Sequence, residues 1–270
     1  MAVEIDSVWL KAARKPVRRI MLLSAIATGC LVSWLIFDHA FLDGAFDMKM
    51  VLAPASYPVV LTAMIFAAMT VFFTCVYWSD SRGAIEIEPS GFFDIVSLVF
   101  ARLSMMGTAA IVLVMLFEVV SRYVFASATL WANELSLWIA GFVFLLAGLY
   151  AMQQRSHIRI YVIYDLFPRW ARKLADAVSV VLTLVFTALL IWGGYNEALS
   201  KFIRWETFGT AWDPPLPATI KPAILIVISL MAIQAVSNLI ADWNKEVEHH
   251  GPAEEIEESE IEIIRKTIGD

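Results

Sequence analysis

Residues 20–37 read IMLLSAIATGCLVSWLIF, eighteen positions without a charge between Arg19 and Asp38. An apolar run of that length is what a helix needs to cross the roughly 30 Å hydrocarbon core of a bilayer. Lys11, Arg14, Lys15, Arg18 and Arg19 precede it, which would also suit a secretory leader. The run is long for a leader's apolar part, however, and bulky Trp34-Leu35-Ile36-Phe37 stands where small residues would mark a cleavage site. It is therefore read as a retained spanning helix.

Five further runs of similar character follow, bounded by charge, Pro or Gly: about Tyr57 to Trp78, Leu103 to Val120, Leu135 to Met152, Ala177 to Tyr195 and Pro222 to Ala241. The third is the least clean, since Arg102 and Glu118 bracket only fifteen uncharged residues, and apolar Phe92 to Phe100 suggests an early start along the interface. In lipid a helix satisfies every backbone polar group within itself. The predicted fold is all-α and integral to the membrane, with six transmembrane helices.

Composition agrees. Of 270 residues 60% are hydrophobic and 17% charged, with a mean hydropathy of +0.71, too apolar for an ordinary water-soluble domain. The net charge of -6 is concentrated. From Asp242 to Asp270 ten Asp/Glu face three Lys/Arg, a balance of -7 that leaves +1 on residues 1–241. No basic face suggests nucleic-acid binding. The acidic tail, 244–270, reads as a solvated extension.

Orientation follows from Lys and Arg, which resist translocation. With the N-terminus inside, twelve fall in cytoplasmic segments (Lys11, Arg14, Lys15, Arg18, Arg19, Arg82, Arg102, Arg155, Arg159, Arg169, Arg172, Lys173) and five outside (Lys49, Arg122, Lys201, Arg204, Lys221). Both termini are expected in the cytoplasm.

Charged side chains buried in a membrane usually mark function, and none is expected near the middle of a span: Glu118, Asp176 and Glu197 fall at or beyond helix ends. No span has Pro in its middle, whereas coupled transporters use broken helices to bind ions and substrate. His39, His157, His249 and His250 all lie outside the expected hydrocarbon region, which argues against axial haem ligation. Cys30 and Cys75 suit apolar filling better than chemistry. The expectation is no enzyme, no cofactor and no metal. Small residues at Ala25, Gly29 and Ser33, and at Gly141, Ala147, Gly148 and Ala151, suit close helix packing, or reflect only the abundance of Gly and Ala in membrane helices.

Four short motifs fall in register with this hydropathy: Arg122-Tyr123-Val124-Phe125 after the third span, Trp131-Ala132-Asn133-Glu134 opening the fourth, then Arg155-Ser156-His157-Ile158-Arg159-Ile160 and Phe167-Pro168. Together they resemble the small permease subunit of the TRAP (tripartite ATP-independent periplasmic) transporters, over about Arg102 to Trp243. The chain departs from that pattern at Tyr161, where an acidic residue is common, and at Phe167, where Leu is common.

The resemblance implies a four-helix scaffold, residues 96–243, partnered by a large permease subunit that carries the substrate and sodium sites, with a periplasmic binding protein delivering a small organic acid. Residues 1–95 add two helices beyond the usual four. On this reading Arg122, Tyr123, Trp131, Glu134, His157 and Arg159 are candidates for the partner-subunit interface. Arg122 stands four after Glu118 and could pair with it. Glu134 could accept from Arg122 or from the partner. The plainer alternative is interfacial charge touching only water and lipid headgroups, and for His157 and Arg159 ordinary cytoplasmic basic residues that also suit anionic lipid. The segment from Trp205 to Pro217, rich in aromatics and proline, suits an interfacial aromatic belt or a contact for the binding protein. A competing class is a membrane anchor or assembly subunit of a redox complex; another is a stand-alone transporter or channel.

Overall fold

The computed structural model describes residues 7–42, 46–81, 86, 87, 89, 91–155 and 168–243. Six helices dominate them: α1 Arg14–Phe41, α2 Pro58–Ser79, α3 Phe92–Tyr123, α4 Ala132–Gln153, α5 Arg169–Ile203 and α6 Leu216–Asp242. By length and composition all six can cross a membrane. Proline sets the starts of two of them. Pro58 opens α2 and Pro217 lies in the first turn of α6, positions where a missing N–H costs nothing and φ is already helical.

α3 and α5 overrun the expected spans furthest. α3 has 32 residues, about 48 Å at 1.5 Å per residue, because it begins early, at the apolar 92–100 stretch, as the sequence suggested. Asp94 and Arg102 therefore sit inside it. α5 has 35 residues, extending well past both ends of the expected Ala177–Tyr195.

Successive helices run antiparallel, and their order in space is α1, α2, α3, α4, α6, α5, each packing mainly on its neighbours in that order. The connections α1–α2, α3–α4 and α5–α6 share one end of the assembly, the turn end. Residues 7–13 and 243 mark the opposite, terminal end. A small apolar core forms where three helices meet: Leu146 and Leu149 of α4 with Val227 of α6, flanked by Phe100, Leu103, Leu145, Leu230 and Met231.

Glycine sets the closeness of the α4–α6 contact, since a Cβ added at Gly141 would lie 2.8 Å from Ile220 Cδ1. Gly148 faces Met231 in the same seam. Gly29 of α1, by contrast, has nothing within 4 Å of such a Cβ. Small residues thus serve packing in α4 but line a free face in α1. Elsewhere the apolar surface stays uncovered: between 6% and 22% of each span's most apolar window is buried within the chain. Cys75 is buried against Met106 (Sγ–Sδ 3.6 Å), whereas Cys30 is exposed, and both are free thiols.

The α1–α2 hairpin is tied to itself at the terminal end by Asp80, which is fully buried. Its Oδ1 accepts the backbone N–H groups of Trp9 and Leu10 at 2.8 Å and the Ser7 hydroxyl at 3.0 Å, while Arg14 stands 3.4 Å from Oδ2. Folding the entering chain back in this way gives its orphan N–H groups an ionic acceptor.

Candidate functional site

The α3–α4 turn is built on Glu118, only 3% exposed. Its Oε1 accepts from Arg122 Nε at 3.0 Å, and the two residues are an i,i+4 ion pair, as their spacing led one to expect. Its Oε2 accepts the backbone N–H of Thr129 at 3.0 Å and the Thr129 hydroxyl. One carboxylate thus ties the end of α3 to the returning chain, closing a turn in which Ala126 takes a left-handed φ of 51°. Trp131 stacks on Phe117 with ring centroids 5.7 Å apart. Tyr123, Val124 and Phe125 project outward, all strongly exposed.

Glu134, in the first turn of α4, does something the sequence did not suggest. Its Oε2 accepts the Thr210 hydroxyl at 2.7 Å and the backbone N–H groups of Trp212 and Asp213 at 3.2 and 3.1 Å. It holds the α5–α6 loop. Of the two partners expected for Glu134, Arg122 is not the one seen within the chain: Arg122 turns along its own helix to Glu118, and Glu134 bonds the loop through Oε2.

Trp212, which the sequence left between an aromatic belt and a contact surface, is 2% exposed. Its indole Nε1 donates to the Met48 carbonyl at 3.1 Å, and its ring meets Trp138 edge-on at 6.4 Å. Trp138 in turn donates to Thr219 Oγ1 at 2.8 Å. The loop therefore joins α4, α6 and the segment before α2. Trp205, at the other side of the loop, is half exposed. Gly209 (φ 81°) and Asp213 (φ 63°) make the sharp reversal, with Asp213 Oδ1 accepting the Gly209 N–H at 2.6 Å. That bond first, and a hydroxyl bond from Thr207 next, hold the Asp213 carboxyl below the usual carboxylate range.

Toward the terminal end a polar network missed in the sequence crosses three helices. Gln234 of α6 donates to Asp94 Oδ1 at 2.6 Å and Asn238 Oδ1 at 2.9 Å, and accepts the Ser97 hydroxyl at 2.9 Å. Asn238 reaches on to the Met152 carbonyl of α4 at 2.7 Å. Asp94, Ser97 and Gln234 are all buried. Nearby, Arg102 pairs with Glu86 at 2.6 Å and donates to the Ser81 carbonyl at 3.1 Å, and the Tyr150 hydroxyl donates to Glu86 at 3.1 Å. The available signal was Gln234 and Asn238, polar residues spaced i,i+4 within an apolar helix. Neither is ionisable, so the expectation of no charge near the middle of a span did not extend to them, and Asp94 stood outside the expected span.

The structure thus brings Glu118, Arg122 and Trp131 into the α3–α4 turn, and Glu134 into the neighbouring loop. Tyr123 stands apart on the surface. His157 and Arg159, with Tyr161 and Phe167, lie outside the described residues.

Long apolar helices in up-and-down order, joined by buried polar ties, define a multi-pass membrane protein. The family described as "Tripartite ATP-independent periplasmic transporters, DctQ component" matches residues 111–245, half of the chain, and the protein belongs to that family, that of the TRAP small permease. The matched region holds the second part of α3, from residue 111, and all of α4 to α6, while α1 and α2 precede it. The chain is also similar to the C4-dicarboxylate TRAP transporter small permease protein DctQ of Vibrio cholerae serotype O1, 30% identical over 106 residues. That alignment takes in 37% of this chain and 43% of the relative. No solved structure matches it.

Proposed function

We propose that this chain is the non-catalytic scaffold subunit of a sodium-coupled TRAP importer in the bacterial inner membrane. A large permease subunit would bind sodium and solute, and a periplasmic protein would deliver the solute, a small organic acid. The C4-dicarboxylate specificity in the name of the Vibrio cholerae relative supports that solute class.

The observation that carries the proposal is the family membership joined to the packing. Each helix leaves most of its apolar window uncovered by its own chain, which suits a layer laid against another membrane protein. Exposed Tyr123, Val124 and Phe125 beside the clasped α3–α4 turn are a natural edge for that contact, together with Arg122, Trp131 and Glu134, and with His157 and Arg159 in the following segment. The 1–95 extension widens the layer, 96–243 supplies the shared four-helix part, and 244–270 is a cytoplasmic tail. With the turn end outside, both termini are cytoplasmic.

Reconstitution tests the proposal. Vesicles containing this chain alone should accumulate no organic acid under a sodium gradient, and uptake should appear only when the large permease and the binding protein are both added. Uptake by this chain alone would overturn the scaffold reading. Co-purification with a cofactor-bearing protein instead of a permease would favour the redox-anchor class.

A further inference from the structure

The face of α1 turned away from α2 carries two features in line. At its terminal end Lys15, Arg18 and Arg19, and Lys11 in the turn just before the helix, are all exposed, and among the described residues none of the four has a carboxylate partner, unlike Arg14, which is held by Asp80 and lies over the Tyr77 ring. Steps of three and four residues from Lys15 through Arg18, Leu22, Ile26 and Gly29 to Ser33 keep to one helical stripe. Along that stripe lies a shallow open trough lined by Ile26, Gly29, Cys30, Ser33, Trp34 and Phe37.

The dimensions agree with one lipid leaflet. Arg19 to Gly29 is about 15 Å of helix at 1.5 Å per residue, equal to a leaflet's share of the ~30 Å hydrocarbon core, so an acyl chain hung from the cations ends in the trough at Gly29. The cations stand where the apolar run ends, at headgroup height. Like charges crowded there, with no carboxylate partner among the described residues, call for an anion, and the nearest supply in a membrane is a lipid phosphate with net negative charge. A zwitterionic headgroup brings its own ammonium, which the same cations repel.

We propose that this face of α1 binds an anionic phospholipid, its phosphate among Lys11, Lys15, Arg18 and Arg19 and one acyl chain in the trough over Gly29. The inference concerns the helices outside the family match and does not depend on the transport reading. Charge complementarity selects lipid over a second copy of the chain, whose α1 would bring the same cations to the contact.

Photolabelling tests it. The full chain, purified in a neutral detergent, is exposed to phosphatidylglycerol or phosphatidylcholine carrying a photoactivatable acyl chain, and adducts are mapped by mass spectrometry. Phosphatidylglycerol should label residues 22–33 roughly fivefold or more above phosphatidylcholine, with the preference shrinking as salt screens the cations. The triple change Lys15→Gln, Arg18→Gln and Arg19→Gln should bring the two lipids level. Because removing those charges could also reorient α1, Gly29→Leu provides a second arm that keeps every cation. The added side chain meets open space, so the melting temperature should hold while adducts in the trough fall severalfold. Equal labelling of the unaltered chain by both lipids would overturn the proposal. So would a Gly29→Leu variant that leaves labelling unchanged and instead breaks self-association or capture of the large permease, the mark of a helix in the trough.

Discussion

Glu134 and Trp212 meet across the turn end of the protein: the carboxylate at the start of α4 accepts the Trp212 backbone N–H at 3.2 Å, and the Trp212 indole passes the connection on to Met48 at 3.1 Å. This relay binds the loop before α6 both to the family-like helices and to the segment that precedes α2.

Replacing Glu134 with Ala strands three loop donors, and charged hydrogen bonds of this kind contribute about 1.5–3 kcal/mol each, without being additive. Glu134→Ala should therefore lower the unfolding free energy by about 2 kcal/mol. Glu134→Gln keeps an acceptor and should lose less. Thermal unfolding in detergent, with thiol labelling of a cysteine placed at exposed Ala211 in a background lacking Cys30 and Cys75, measures both. Unchanged labelling in Glu134→Ala would show that the loop stands without its clasp.

Trp212→Phe should separate packing from bonding. Phe retains most of the buried ring but loses the bond to Met48, a change of about 1 kcal/mol, whereas Trp212→Ala also opens a cavity and should cost about 3–5 kcal/mol. Proteolysis within the 42–57 connection should quicken in both, more so in the Ala variant.

At the neighbouring turn, charge reversal discriminates between partners. Arg122→Glu places two carboxylates face to face and should reduce stability and the yield of the complex with the large permease. Adding Glu134→Arg should not restore either, because Glu134 is bonded to the loop. Adding Glu118→Arg should recover part of the loss, though not all, since Thr129 still needs its acceptor. The Arg122 side chain is 52% exposed, so solvent screening keeps the contribution of the pair itself small. Equal rescue by the two second-site changes would contradict the geometry.

The Asp213 carboxyl titrates below its unfolded value, so its stabilisation is complete above the ordinary Asp pKa of about 3.9 and is lost as pH falls through the lower folded value. Asn tolerates the left-handed φ of Asp213, so Asp213→Asn removes the charge without straining the backbone. Melting temperatures of the two proteins should differ at neutral pH and converge in strong acid. A gap that persists at low pH would mean that the charge is not the cause.

Topology is open to labelling from outside intact cells. With Cys30 and Cys75 replaced, a cysteine at Thr210 should react with an impermeant reagent and one at Ser81 should not. Labelling at Ser81 would reverse the orientation or remove a span.

The number of spanning helices, the family and the Glu118–Arg122 pair were legible in the sequence for one physical reason: each depends on residues close together in the chain. Length of apolar run decides whether a helix can span, and four-residue spacing alone puts Arg122 beside Glu118. The reach of α3 was harder to read, because Asp94 and Arg102 look like boundaries until their partners are known. Gln234 answers Asp94 from 140 positions away, and Glu86 answers Arg102 beyond the end of α2, so both charges become affordable inside a helix. Glu134 shows the same limit at the other end, since a short connection to Arg122 suggested one partner and a loop 76 to 79 residues distant took its place. Local chemistry determined which segments enter the membrane. Only the tertiary structure decided which polar groups meet, because burying a donor or acceptor costs free energy until a partner from elsewhere in the chain satisfies it.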